Sequence, residues 1–229
     1  NPRQISRVPL SPQVVDCIVF WSKNPGPLAK RLGELEDYPF YFQYSLTGYG
    51  KDVESNLPDK KEVLIPLFQE LSKRLGPHRV VWRYDPILFS QRYPPEYHLR
   101  AFEEIARRLE GYGERVVISF VDLYAKTKRG TAGLELWDPP GDGELLEFAG
   151  KLAALARKYG FDMESCAEKI DLGPAGIRHG HCIDKALIER IIGCRLTASK
   201  DKNQRQECGC FESIDIGIYN TCRNGRRYC

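Results

Sequence analysis

Two rhythms of apolar residues alternate along this chain. Short continuous runs, at 17–21 (Cys-Ile-Val-Phe-Trp), 38–44, 79–84, 115–121 and 161–166, have the form of strands buried on both faces of a parallel sheet. Between them lie stripes at the helical period. Residues 61–75 put Leu64, Leu67, Phe68, Leu71 and Leu75 on one face before Gly76-Pro77 stops the helix. Residues 95–109 do the same with Phe102, Ile105, Ala106 and Leu109, and 144–158 with Leu145, Phe148, Ala149, Leu152 and Ala156. A shorter helix is predicted over 27–35, and another after the capping residue Asp184, burying Leu187, Ile188, Ile191 and Ile192. Loops are expected at 126–143, which carries Lys126, Lys128 and Arg129, and at 171–183, with a solvated connector at 200–205. The alternating run 214–219 predicts a sixth strand.

Strand and helix in this cadence imply an α/β fold with right-handed crossovers, here a partial TIM-like βα barrel of parallel strands with a C-terminal cysteine-rich segment. Residues 1–206 read as the barrel and 207–229 as a cysteine-rich tail contributing the last strand. Composition narrows this little. With 42% apolar and 28% charged residues and a formal charge of +3, the chain of 229 residues is ordinary for a globular protein and shows no bias toward nucleic acid or an anionic membrane. No apolar run approaches the ~20 residues that span a bilayer, and no signal peptide precedes the first strand, so the expectation is a cytoplasmic protein with no membrane partner. A start at Asn1 and an end on Cys229 suggest a fragment of a longer chain.

In a barrel the strand exits share one rim, and sites are built there. Those exits supply Arg83, Asp85, Ser119, Asp122 and Glu164 as candidate catalytic residues, and Lys23, Asn24 and Thr47 as candidate cofactor contacts. Arg83 and Asp85 alternate on one strand and therefore face the same side, as a buried salt bridge or as a ligand contact. The lysine and asparagine suit a carboxylate or phosphate, although a solvated loop is the simpler account of them.

Four of the 8 cysteines crowd the tail: Cys208, Cys210, Cys222 and Cys229. In a reducing compartment such a group is more readily a metal or cluster site than a set of disulfides. The spacing meets neither the zinc-ribbon nor the ferredoxin pattern, but iron–sulfur ligation tolerates irregular spacing where thiolates converge, and a cluster is favoured over zinc. A second mixed site from Cys166, His179, His181, Cys182 and Cys194 is a further possibility, against ordinary loop histidines and buried cysteines. No phosphate-binding G-x-x-x-x-G-K loop, G-x-S-x-G elbow or H-E-x-x-H helix is present, which removes those nucleotide-binding and hydrolase readings.

Several longer stretches carry a family resemblance. Val14-Val15-Asp16-Cys17-Ile18-Val19-Phe20-Trp21-Ser22-Lys23-Asn24-Pro25, Trp82-Arg83-Tyr84-Asp85-Pro86-Ile87-Leu88, Asp201-Lys202-Asn203-Gln204-Arg205, Cys208-Gly209-Cys210 and Ile214-Asp215-Ile216-Gly217 resemble the uncharacterised bacterial domain-of-unknown-function family 1848 along essentially the whole chain. Its members carry a C-terminal cysteine cluster similar to the iron–sulfur motif of radical S-adenosylmethionine enzymes, as in a circularly permuted barrel. The resemblance implies a barrel, a [4Fe-4S] cluster and S-adenosylmethionine as a candidate cofactor. It also implies a first strand and helix that this chain lacks. The family's tail resembles C-x3-C-x2-C; here Cys222 and Cys229 hold the outer positions and Arg226 the middle one. Three thiolates leave one iron open for the cofactor, so the arginine puts that geometry in question unless Cys208 or Cys210 substitutes. Substitution by both would ligate the cluster fully and suit electron transfer.

Three functions follow as expectations. The first is a radical enzyme acting on an unknown small-molecule or macromolecular substrate, supplied by an electron-donor protein. The others are a non-catalytic iron–sulfur redox or sensor protein and a zinc-stabilised binding module.

Overall fold

Six parallel strands lie side by side in chain order: β1 (Ile18–Ser22), β2 (Phe40–Ser45), β3 (Val80–Ile87), β4 (Arg115–Phe120), β5 (Asp162–Ser165) and β6 (Arg178–His179). The computed structural model describes residues 7–122, 124–138, 140–218 and 221–228, with the backbone alone at Ala125 and Lys126. β1 and β6 are the outer strands of this open sheet. Parallel pairing in sequential order sends every connection across a face of the sheet, and the helices do that work.

Alternation along the strands separates two cores. Phe42, Tyr44, Val80, Trp82, Tyr84, Val116, Ile118 and Met163 pack beneath α2 (Ile65–Leu75), α3 (Pro95–Leu109) and α5 (Asp142–Lys158). At its centre Trp82 stacks on Phe102 with ring centroids 4.7 Å apart, meets Phe161 edge-on, and donates its indole N–H to the Leu46 carbonyl at 2.8 Å. On the opposite face Tyr41, Val81 and Val117 are covered by Leu187 and Ile188 of α6 (Lys185–Ile192). Asp184 caps that helix by accepting from the Leu187 N–H at 3.2 Å, and its other oxygen receives Arg115 from the start of β4 at 2.6 Å.

Several elements differ from the sequence expectation. The helix at 27–35 is instead α1 (Gly26–Ala29) and a tight 3₁₀ turn, Leu32–Leu35, broken near Gly33, a poor helix former. The long loop at 126–143 contains α4 (Ala125–Gly130) and an antiparallel bridge between Ser90 and Leu136. The connector at 200–205 is a folded turn around buried Asp201, whose carboxylate accepts from Asn203 N–H and Gln204 Nε2.

The tail does not supply the sixth strand. Ile214, Ile216 and Ile218 form no strand and are exposed, while Arg178–His179 pairs with β5 in that place. Alternation shows that a segment could bury one face, but a strand also needs a neighbour for its backbone groups. Tyr219, the last residue of the expected strand, lies outside the described residues. Among the described residues no helix is long and apolar enough to cross a membrane.

Candidate functional site at the strand exits

The two-residue period that buries Val81 against α6 turns Gln43, Ser45, Arg83 and Asp85 to the same face, nearer the strand ends. Arg83 is 4% exposed; its Nη2 and Nε lie 2.5 and 3.1 Å from Asp85 Oδ2, and Nη1 lies 3.2 Å from Gln43 Oε1 and 2.8 Å from Cys182 Sγ. Ser45 donates weakly to Asp85 at 3.4 Å. Burial would raise the Asp85 carboxyl, but Arg83, then Lys23, hold it below its ordinary range. The pair forms a buried salt bridge.

A second ionic group lies alongside, centred on a residue the sequence reading missed. Glu54, 1% exposed, faces Lys23 Nζ at 2.9 Å and Lys60 Nζ at 2.6 Å, and accepts from Thr47 Oγ1 at 3.0 Å and Tyr228 Oη at 2.5 Å. Burial pushes its carboxyl up, yet the two ammonium groups and the hydroxyl outweigh this and hold it at about 2. Lys23 and Thr47 thus serve Glu54. Only the apolar neighbours Val53 and Leu57, both buried, mark this loop in the sequence as more than solvated.

The other predicted residues separate. Asn24 turns the chain into α1, its Oδ1 accepting from Gly26 N–H at 3.2 Å. Glu164 lies with Arg115, 3.1 Å away, near the α6 cap rather than with Arg83. Asp122 is exposed and pairs with Arg205 at 2.6 Å, and Ser119 is partly exposed on β4. Glu168 accepts from the Phe120 N–H at 2.8 Å; burial raises it to about 7. Lys128 and Arg129 lie exposed on α4, and nothing is described of the Lys126 side chain.

The cysteines regroup. Cys208 and Cys210 do not join Cys222; they are buried with Cys166, at the exit of β5, and Cys182. Cys166 Sγ and Cys182 Sγ are 3.2 Å apart, the Ile183 N–H points at Cys210 Sγ (3.4 Å), and the Cys210 N–H at Cys208 Sγ (3.5 Å). Cys182 is raised to about 11: the Cys166 thiol lowers it, but Cys210 and burial prevail. Cys194 is exposed and apart from this cluster, His179 is exposed, and His181 stacks on Phe211 with centroids 5.9 Å apart. C-x-C spacing alone cannot reveal which distant thiols it meets.

Cys222 is exposed, with Arg226 Nη2 3.6 Å from its sulfur; Cys229 lies outside the described residues. The tail nevertheless docks firmly. Arg226 bridges Glu54 in antiparallel fashion, Arg227 N–H donates to Val53 O at 3.0 Å, and Arg227 Nε donates to Gly130 O at 2.9 Å. Gly225 permits this: its φ is +63°, and a Cβ there would lie 2.1 Å from Ser55 Oγ. Beside the tail is a polar cleft of about 360 Å³, lined by Asp52, Ser90, Arg92, Tyr93, Glu135 and Arg227 among others.

Among the described residues no group of three or more His, Cys, Asp or Glu side chains is placed to hold a metal ion. No curated protein and no solved structure matches this chain. The family model described as a domain of unknown function, DUF1848, matches residues 1–229, and the chain belongs to that family.

Proposed function

We propose that this chain has the plan of a radical S-adenosylmethionine-type iron–sulfur protein, a partial barrel with its cluster loop at the strand exits, and that it works in the cytoplasm as a cluster-carrying sensor or redox protein. The observation that carries the reading is the seat of the tail. Glu54 and Tyr228 fix the C-terminal loop where β1 and β2 discharge their polar residues, beside a cleft wide enough for a small polar ligand. The Arg226 side chain reaches Cys222, its Nη2 lying 3.6 Å from the sulfur.

The residues do not complete the site that cofactor cleavage requires. Arg226 replaces the middle thiol, and Cys208 and Cys210, the possible substitutes, are engaged with Cys166 and Cys182. No radical step is therefore assigned to this chain. A cluster one ligand short is labile, and lability suits a sensor better than an enzyme.

The test is anaerobic reconstitution of the natural chain and of Arg226→Cys, followed by assay for reductive cleavage of S-adenosylmethionine. Cleavage by the variant and none by the natural chain is expected. Cleavage by the natural chain, or a variant no better at holding iron and sulfide, overturns the reading.

A further inference from the structure

Cys166, Cys182, Cys208 and Cys210 come from three stretches of chain, the exit of β5, the loop after β6 and the C-x-C turn, and they pack together in one buried cluster. All four are free thiols. We propose that they form a metal site separate from the tail loop, taking one tetrahedral divalent ion, zinc.

Size decides between an ion and a cluster. Four thiolates around zinc at about 2.3 Å hold their sulfurs about 3.8 Å from one another, a little wider than the 3.2 Å contact of Cys166 with Cys182. A four-iron cluster would have to force the same sulfurs apart around a cage of eight atoms. Among the described residues no three donors are placed to hold an ion as they stand, and the sulfurs of Cys166 and Cys182 are in contact. Rotation of each sulfur about its own Cα–Cβ bond opens the contact.

Hydrogen-bond donors reach three of the four sulfurs. Arg83 Nη1 lies 2.8 Å from Cys182 Sγ, and backbone N–H groups of Ile183 and Cys210 point at Cys210 and Cys208 sulfurs. Neutral thiols are weak acceptors, whereas metal-bound thiolates are held by such outer donors. Zinc with four thiolates carries two excess negative charges, and Arg83, which is also paired with Asp85, donates to one of the four sulfurs.

Two glycines allow the segments to close. A Cβ on Gly180 would lie 2.9 Å from Glu164 Cβ and from Ser165 O, and one on Gly209 2.8 Å from His181 Cδ2. The strand carrying Cys166, the loop carrying Cys182 and the C-x-C turn thus approach as closely as backbones without side chains permit.

The full-length chain, purified anaerobically, is analysed for zinc and then loaded with cobalt(II) after metal removal. One zinc per chain and an intense sulfur-to-cobalt absorption with tetrahedral bands are expected. Cys182→Ser and Cys208→Ser should each weaken zinc binding at least tenfold, and Cys222→Ser should leave it unchanged. Should either serine variant fail to fold, the cobalt spectrum of the natural chain decides. A Cys166–Cys182 disulfide in the anaerobic protein, no cobalt–thiolate absorption, iron with sulfide at these cysteines, or zinc lost with Cys222 overturns the assignment. The tail-loop reading is untouched by any of these except the last.

Discussion

Arg83 Nη1 lies 2.8 Å from the sulfur of Cys182 while its Nη2 lies 2.5 Å from Asp85 Oδ2, so one buried guanidinium ties the thiol cluster to the ionic groups of the strand exits. Removing one partner of such a pair strands the other charge away from water. Arg83→Ala is expected to destabilise the fold by about 3–5 kcal/mol. Asp85→Ala in the same background should cost much less than it does alone. Urea unfolding of the two single variants and the double variant measures this coupling.

Glu54 makes the tail's attachment acid-sensitive. Its folded carboxyl, at about 2 against an ordinary 4.5, is depressed, so the stability it contributes is complete above pH 4.5 and is lost as pH falls toward 2. The full effect is on the order of 3 kcal/mol. Glu54→Gln should flatten the pH dependence of urea unfolding across that window. At neutral pH the same variant should expose Arg226 and Arg227 to trypsin sooner than in the natural chain.

Glu168 has the opposite sign. Burial raises it to about 7, so the folded state holds its proton more tightly than the unfolded state does. Its contribution is present below pH 4.5 and disappears as pH rises through 7. Glu168→Gln should remove that decline, seen as a flatter melting temperature between pH 5 and about 8.

The aromatic core has a simpler test. Phe102 is fully buried against Trp82, and Phe102→Ala leaves a cavity between β3 and α3. A loss of about 3–5 kcal/mol in chemical unfolding is expected.

How far the sequence could be read depends on whether the information was local. The run at 17–21 and the stripe of Leu64, Phe68 and Leu71 carry their own period: the stripe is buried along α2 and the turn before it, whereas β1, expected to be buried on both faces, is an outer strand that is only partly covered and leaves Trp21 exposed. Ile214, Ile216 and Ile218 have an equally regular period and form no strand, because periodicity cannot supply a neighbour. Arg83 and Asp85 were legible as a pair since one strand carries both. Glu54 was not, because its partners Lys23, Thr47, Lys60 and Tyr228 come from four separate stretches. The same holds for Cys208 and Cys210, whose nearness in sequence to Cys222 suggested a grouping that the fold replaces with Cys166 and Cys182.

The central claim is that the loop bearing Cys222 is a cluster loop with one ligand missing. Iron and acid-labile sulfide per chain, measured after anaerobic reconstitution of the natural protein, Cys222→Ser and Arg226→Cys, test it most directly. The account predicts both in matched amounts and weakly held in the natural chain, absent in Cys222→Ser and firmly retained in Arg226→Cys. Equal iron and sulfide in all three would contradict it.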